Sequence, residues 1–218
     1  GWEHPLWFAK EQGVEETIGF SRQNWFEPVN KEVEMLRKFV GIIDISNFAN
    51  YIITGPDAAN WLNSLVANHI PKEVGKTCLT PLLSLKGGIA GDFTITKIHD
   101  NKFMMVGSGM AERYHQRFFN MIKISKDTSF KNVTNEIVGF NIAGPKSRSL
   151  MQSIISENLT DSAWPFMQSK NVDVSGIECI AIRVSFTGDI GWELHCNECH
   201  QFDLYKILID ASKAFNGG

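Results

Sequence analysis

Two carboxylates stand beside glycine-rich turns in this chain. Asp92 follows the glycines in the segment 86–97 (KGGIAGDFTITK), and Glu193 follows the glycines in the segment 186–194 (FTGDIGWEL). Glycine lets a backbone approach a ligand closely, and a carboxylate held where a strand begins has a fixed direction. Together these features can frame a small polar molecule. Asp92 and Glu193 are therefore the leading candidate site residues.

Strand alternation predicts where each carboxylate points. Asp92 shares a face with Thr94 and Thr96, so we expect it to face a polar cavity or solvent. Its alternative use is to accept hydrogen bonds from nearby backbone amides at the start of the strand. Glu193 points away from its two apolar neighbours and can accept two parallel N–H bonds from a planar amino-heterocycle. The alternative for Glu193 is an ordinary exposed strand residue.

An internal repeat indicates how the elements around these residues are arranged. Residues 51–58 (YIITGPDA) and 140–147 (FNIAGPKS) both run from an apolar strand through Gly-Pro into a helical pattern, although this pairing also arises by chance. Between them, the pattern predicts a hairpin of strands 91–98 and 102–106. Because strands and helices interleave but several strand pairs are hairpins, we expect an α+β fold with mixed or antiparallel sheets and flanking helices.

Residue periodicity predicts further elements. A helix opens at Pro28, and a later helix turns Tyr114, Phe118, Phe119 and Ile122 inward. Residues 177–186 alternate as a half-buried strand, with isoleucines on one face and Cys179 and Ala181 on the other.

The same patterns divide the chain into three parts. Residues 1–27 are rich in aromatic residues without a clear period, so we expect a lead-in segment that packs over the main body. The two related halves are then residues 28–135 and 136–218. The first residue is not methionine, and we expect the sequence to be a piece of a longer polypeptide.

Composition excludes several classes of protein. The 218 residues carry 43% hydrophobic and 21% charged residues and a net charge of -3, which is typical of a globular protein. We expect neither nucleic acid nor membrane as a partner, because there is no basic tract and no apolar run near the roughly 20 residues that a spanning helix needs. Four cysteines fit free thiols in a reducing compartment better than a disulfide framework.

Residues 195–200 (HCNECH) match the C-x-x-C-H pattern of haem attachment and half of a zinc site. A structural zinc site usually draws on a second ligand pair, and the sequence has no other C-x-x-C. We therefore expect no metal and interpret the motif as a strand end that runs into a helix. A metal or haem protein using Cys196, Cys199 and His200 stays the alternative. The lone G-x-G at residues 107–109 is too weak to indicate a phosphate site.

Taken in order, four motifs resemble the folate-binding domain of the glycine cleavage T-protein (aminomethyltransferase) and of the related dimethylglycine and sarcosine dehydrogenases. The resemblance covers nearly the whole chain. Its motifs are residues 39–46 (FVGIIDIS), 53–58 (ITGPDA), 87–92 (GGIAGD) and 186–194 (FTGDIGWEL). The opening residues 1–9 (GWEHPLWFA) resemble the segment that follows the flavin domain in the dehydrogenases, which favours that branch of the family.

The resemblance implies roles for five residues. Asp92 matches the family's essential carboxylate near the folate nitrogens, and Glu193 matches the acid that binds the pterin edge. Val106, through its backbone, and Ser108 match positions that line the pterin pocket. Phe186 stands where the T-protein has a tyrosine, which keeps an aromatic wall and removes a hydroxyl.

The resemblance also implies an activity. The cofactor is tetrahydrofolate, which takes a one-carbon unit from an amine donor to become 5,10-methylenetetrahydrofolate. A covalently linked flavin domain carrying FAD is the implied partner. The family's C-terminal barrel lies outside this sequence, so we expect weak or absent folate binding by the chain alone. The implied location is the bacterial cytoplasm or the mitochondrial matrix. The alternatives are a stand-alone aminomethyltransferase of the glycine cleavage system and a non-catalytic folate-binding scaffold.

Overall fold

A computed structural model describes residues 5–122, 126–185 and 188–218. The helices in this part of the chain are α1 (Phe26–Lys38), α2 (Ala58–Leu65), α3 (Glu112–Met121), α4 (Ser147–Ile154) and α5 (Gln201–Ser212). The strands are β1 (Gly41–Asp44), β2 (Ala49–Thr54), β3 (Thr77–Leu83), β4 (Ile89–His99), β5 (Lys102–Gly107), β6 (Ser129–Asn132), β7 (Ile137–Ala143), β8 (Ser169–Val174), β9 (Ile177–Ile182) and β10 (Gly191–Asn197). None of the described helices is both long and apolar enough to cross a membrane.

The strands form two five-stranded antiparallel sheets. Sheet 1 has the order β3-β4-β5-β2-β6, and sheet 2 has the order β1-β7-β10-β9-β8. With their flanking helices they make the α+β architecture that the sequence predicts. Since β1 pairs with β7, sheet 2 contains strands from both sides of residue 135. The division into residues 28–135 and 136–218 stays a prediction about domain organisation.

Each sheet buries its outer face under helices. In sheet 1, Phe93 and Tyr51 pack against α2 and α3 in one apolar cluster. In sheet 2, Trp192 and Phe140 pack against α4 and α5 in another. Alternation turns the next residues of each strand to the inner face, where Met104 of sheet 1 and Ile182 of sheet 2 are fully buried. The two inner faces therefore cover one another, and the layers follow the order helix, sheet, sheet, helix.

The internal repeat is present in the structure as two equivalent strand-to-helix turns. Gly55 joins β2 to the α2 region with a φ of +127°, and Gly144 joins β7 to the α4 region with a φ of +121°. A Cβ atom at Gly55 would lie 2.0 Å from a backbone oxygen, and one at Gly144 would lie 2.6 Å from another. Only glycine satisfies both the backbone conformation and the space.

Several local predictions are confirmed and others are corrected. The hairpin of β4 and β5 lies where the sequence predicts it, and α1 begins two residues before Pro28. On α3, Tyr114 is 42% exposed instead of facing inward, and His115 is buried in its place. On β9, the small residues Cys179 and Ala181 face the helices, and Ile180 and Ile182 face the inner side.

Two rings of the aromatic lead-in segment, Phe8 and Phe20, lie away from the main body. Residues 5–25 contain no helix or strand. Phe8 is 67% exposed and Phe20 is fully exposed, so these rings do not cover the main body.

Candidate functional site

Asp92 lies near the start of β4, on the inner face of sheet 1. Its side chain is exposed, and the register places it opposite Pro81 of β3, whose nitrogen carries no hydrogen to donate. Within the described residues, no hydrogen bond or ion pair reaches the Asp92 carboxylate. The use of Asp92 to bind neighbouring backbone amides is therefore not realised, and the carboxylate is free to accept a proton or a hydrogen bond.

Val106 and Ser108 lie at the same end of the neighbouring strand. Val106 pairs with Thr94 and is 8% exposed, and Ser108 follows β5 and is exposed. The glycines beside Ser108 serve packing: a Cβ at Gly107 would lie 2.4 Å from the Phe93 ring. One at Gly109 would meet a backbone oxygen at 1.7 Å. The G-x-G pattern thus allows β5 and the following turn to pack closely.

A buried histidine lies behind Asp92, on the outer side of sheet 1. The His115 ring packs on Phe93 with centroids 4.7 Å apart, and its Nδ1 is 3.5 Å from the Tyr51 hydroxyl. Burial lowers the pKa of His115, and the nearby Asp92 carboxylate opposes this by favouring the charged form. A Cβ at Gly91 would lie 2.7 Å from His115 Nε2, so the glycine before Asp92 makes room for the ring.

Glu193 lies on β10, on the inner face of sheet 2. Its neighbours Trp192 and Leu194 are fully buried on the outer face, so Glu193 points away from them as alternation predicts. Its side chain is 19% exposed, and one carboxylate oxygen is 3.3 Å from Nε2 of the buried His195. The register places Asn141 of β7 directly opposite Glu193. Sheet 2 thus presents a partly buried carboxylate that is hydrogen-bonded to His195 on its own strand and lies across from the amide of Asn141.

The site residues predicted from the sequence fall into two groups. Asp92, Val106 and Ser108 lie together at one end of sheet 1, whereas Glu193 lies on sheet 2. No hydrogen bond or ion pair joins Asp92 to Glu193. Phe186 lies outside the described residues.

A cavity of about 1020 Å³ opens between the two sheets. Sheet 1 lines it with Ile52, Ile98 and Lys102, and sheet 2 lines it with Ile180 and His195, among other residues. His195 is two residues from Glu193 on β10, whereas Ile98 is six residues from Asp92 on β4. The cavity therefore adjoins the Glu193 side of the site and is separated from Asp92 by most of the length of β4.

The metal-like motif has its cysteines in different environments. Cys196 is 5% exposed in the outer core of sheet 2, and Cys199 is exposed in a short 3-10 turn. The Asn197 side chain accepts a hydrogen bond from the Cys199 backbone nitrogen at 3.1 Å. No group of three potential metal ligands is found within residues 5–122, 126–185 and 188–218.

Sequence reasoning missed two buried residues beside the carboxylates, His115 and Asn141. His115 is 1% exposed and Asn141 is 6% exposed. His115 belongs to no motif, and Asn141 lies inside the internal repeat of residues 140–147 without being singled out there. The one available signal for Asn141 is a polar residue within the apolar run that forms β7.

Known proteins are similar to this sequence over most of its length. The chain is 35% identical over 216 residues to the mitochondrial dimethylglycine dehydrogenase of Homo sapiens, covering 98% of this chain and 25% of that protein. It is 25% identical over 191 residues to the aminomethyltransferase of Thermoanaerobacter sp. strain X514, covering 87% of this chain and 52% of that protein. The chain thus spans about a quarter to a half of these two proteins.

The fold is similar to that of a solved aminomethyltransferase. The glycine cleavage system aminomethyltransferase T from Bartonella henselae superposes with a TM-score of 0.76 at 18% identity, over 94% of this chain and 55% of that chain. The sequence model of the GCVT N-terminal domain matches residues 1–217. A match over practically the whole sequence shows that this chain belongs to the GCVT N-terminal domain family.

Proposed function

We propose that this chain is the folate-binding part of an enzyme that transfers a one-carbon unit from an amine donor to tetrahydrofolate. Tetrahydrofolate, when bound, supplies N5 and N10, which take up the donor's methylene carbon as the amine leaves and one proton is released. The observation that carries the proposal is the pair of carboxylates on the facing sides of the two sheets. Within the described residues, the Asp92 carboxylate has no hydrogen-bond partner. Glu193 is partly buried, and its carboxylate is oriented by a hydrogen bond with His195. Membership of a family that includes aminomethyltransferases supports the same reading.

Asp92 is the proposed proton acceptor. Folate nitrogens are weak bases, so closing the five-membered ring requires loss of a proton from nitrogen. An exposed aspartate without a hydrogen-bond partner can take that proton and pass it to water. A positioned general base of this kind contributes about 10²-fold to 10⁴-fold to the rate. We therefore expect Asp92 to affect the reaction rate more than the affinity for tetrahydrofolate.

Glu193 is the proposed anchor for the pterin ring. Its carboxylate can accept two parallel N–H bonds from the N3 and 2-amino groups of a pterin. The hydrogen bond from His195 limits the directions that the carboxylate samples. Val106, Ser108 and Phe186 are the proposed walls of the same pocket.

We further propose that a flavin-containing domain of the same polypeptide supplies the one-carbon donor. The support is the 35% identity to human dimethylglycine dehydrogenase, of which this chain covers 25%. Similarity to sarcosine oxidase subunit alpha of Rhizobium meliloti, at 29% identity over 97% of this chain, points the same way. Dimethylglycine and sarcosine are therefore the first donors to test.

The experiment compares Asp92→Asn with wild type in the full-length polypeptide. With tetrahydrofolate and dimethylglycine or sarcosine, we expect Asp92→Asn to form methylenetetrahydrofolate at least about 10²-fold more slowly, after subtraction of uncatalysed condensation. The matched control is Asp100→Asn, because Asp100 lies in the turn of the same hairpin with an 82% exposed side chain. Equal rates for Asp92→Asn and wild type would refute the role of Asp92. Folate binding by wild type without any product would favour a non-catalytic scaffold.

A further inference from the structure

Next to Glu193, sheet 2 holds a buried amide with an unused hydrogen-bond donor. Asn141 is 6% exposed, and within the described residues its Nδ2 has no hydrogen-bond partner. It lies in the middle of a cross-strand row on the inner face, between Ile43 of β1 and Glu193 of β10. Directly opposite residues have Cβ atoms about 4.5–5.5 Å apart, so the amide and the carboxylate can address neighbouring atoms of one ligand.

An asparagine is an unfavourable choice here unless something binds it. Burying an amide without a partner costs free energy that an apolar side chain would avoid. The flanking residues Phe140 and Ile142 face the outer core, so Asn141 contributes nothing to that packing. Its donor is aimed at the same inner side as Glu193, where the proposed ligand would lie.

We infer that Asn141 is a specificity-determining residue that donates a hydrogen bond to the carbonyl at position 4 of the pterin. This inference rests on the proposed function. A 4-oxo pterin presents, in order along one edge, an acceptor at C4, a donor at N3 and a donor at the 2-amino group. Asn141 and Glu193 present the complementary order of one donor followed by two acceptors.

The arrangement discriminates between two classes of pteridine. A 2,4-diamino pteridine carries an amino group at C4 and no hydrogen on N3. Its C4 amino group would place a donor against the Asn141 donor, and N3 would have no hydrogen to donate to Glu193. A site built to pair a polar group rejects an analogue that leaves that group unpaired. Asn141 therefore selects oxo-pterins, whereas Glu193 alone would select any ring with adjacent N–H groups.

The test measures the dissociation constants of two ligands that differ only at C4, tetrahydrofolate and tetrahydroaminopterin. The protein is the full-length polypeptide, titrated anaerobically by calorimetry. We expect wild type to prefer tetrahydrofolate by at least about tenfold, and Asn141→Ala to reduce that preference towards about one. Asn141→Asp has the same size but no donor, so it is expected to lose the preference as well.

Controls separate a binding role from a structural one. Because the Asn141 Nδ2 has no hydrogen-bond partner within residues 5–122, 126–185 and 188–218, Asn141→Ala should not lower the unfolding temperature without ligand but should reduce the rise that tetrahydrofolate produces. If Asn141→Ala keeps the wild-type preference while Glu193→Gln weakens binding, the inference about Asn141 is wrong and the proposed function stands. If wild type binds neither ligand, both are overturned.

Discussion

Asp92 lies at an exposed end of sheet 1, whereas Glu193 lies beside buried polar side chains of sheet 2. On the strands next to Asp92, exposed apolar residues are Leu79 of β3 at 59% and Ile89 of β4 at 76%. Around Glu193 the neighbours are buried and polar, with His195 at 3% and Asn141 at 6% exposed. One carboxylate is therefore unconstrained, and the other is held before any ligand arrives.

This difference fits a binding role for the carboxylate of sheet 2 and a proton-accepting role for the carboxylate of sheet 1. A binding group gains affinity when its orientation is set in advance, because less freedom is lost on binding. A proton acceptor must change its protonation state, and solvent access lets it pass the proton on. We therefore expect substitutions in sheet 2 to change mainly affinity and substitutions at Asp92 to change mainly rate.

The largest expected effect tests this division directly. Glu193→Gln in the full-length polypeptide should weaken tetrahydrofolate binding about thirtyfold, because a partly buried carboxylate loses one acceptor and its charge. Asp92→Asn should leave the dissociation constant within about threefold of wild type while slowing product formation. Calorimetric titration and single-turnover rates measure the two quantities. Glu198→Gln, an exposed position just after β10, is the matched control. A large loss of affinity in Asp92→Asn would erase the distinction between the two carboxylates.

The next effect concerns the support behind Asp92. Gly91→Ala would place a Cβ 2.7 Å from His115 Nε2 and 3.1 Å from the Phe93 ring. We expect it to lower the free energy of unfolding by about 1–3 kcal/mol, as overpacking does. Gly88→Ala is the control, since the nearest atom to its Cβ is a serine hydroxyl at 3.4 Å. Chemical denaturation measures both, and equal stability of the two variants would show that the His115 ring can move aside.

A smaller effect follows from the lowered pKa of His115. The unfolded chain, with a histidine pKa of about 6.5, binds a proton at higher pH than the folded chain does. Above pH 6.5 this histidine therefore leaves the free energy of unfolding unchanged. Below pH 6.5 it lowers the free energy of unfolding by at most about 1.4 kcal/mol per pH unit. Between pH 7 and pH 5.5, the free energy of unfolding of His115→Gln, measured with urea, should fall less than that of wild type. Parallel curves for the two proteins would mean that His115 titrates alike in both states.

The smallest expected effect is that of the residue supporting Glu193. His195→Gln should weaken tetrahydrofolate binding only a few-fold, because its 3.3 Å hydrogen bond orients the carboxylate without contacting the ligand. Combined with Glu193→Gln, it should add almost nothing further, since its effect acts through Glu193. Additive losses in this double-mutant cycle would show that His195 acts on the ligand independently.

Much of the fold could be predicted locally. The repeat at Gly55 and Gly144 is visible because a strand, a Gly-Pro pair and a helix leave a strong pattern, and the structure confirms both turns. The orientation of Glu193 also follows from its apolar neighbours. His115 could not be found this way, because a single histidine on a helix has the same pattern whether it faces solvent or an aromatic core.

The sequence by itself determined the two strand-Gly-Pro-helix turns, the hairpin of β4 and β5, the family resemblance and the two carboxylates, because these depend on residues close together in the chain. Only the tertiary structure decided that β1 joins sheet 2, that Asn141 lies opposite Glu193, and that the two carboxylates stand on separate sheets. Strand pairing brings residues about fifty to a hundred positions apart into contact, and it is selected by the burial of whole faces. No local pattern carries that information, so the partners of a site residue emerge only when the sheets are assembled.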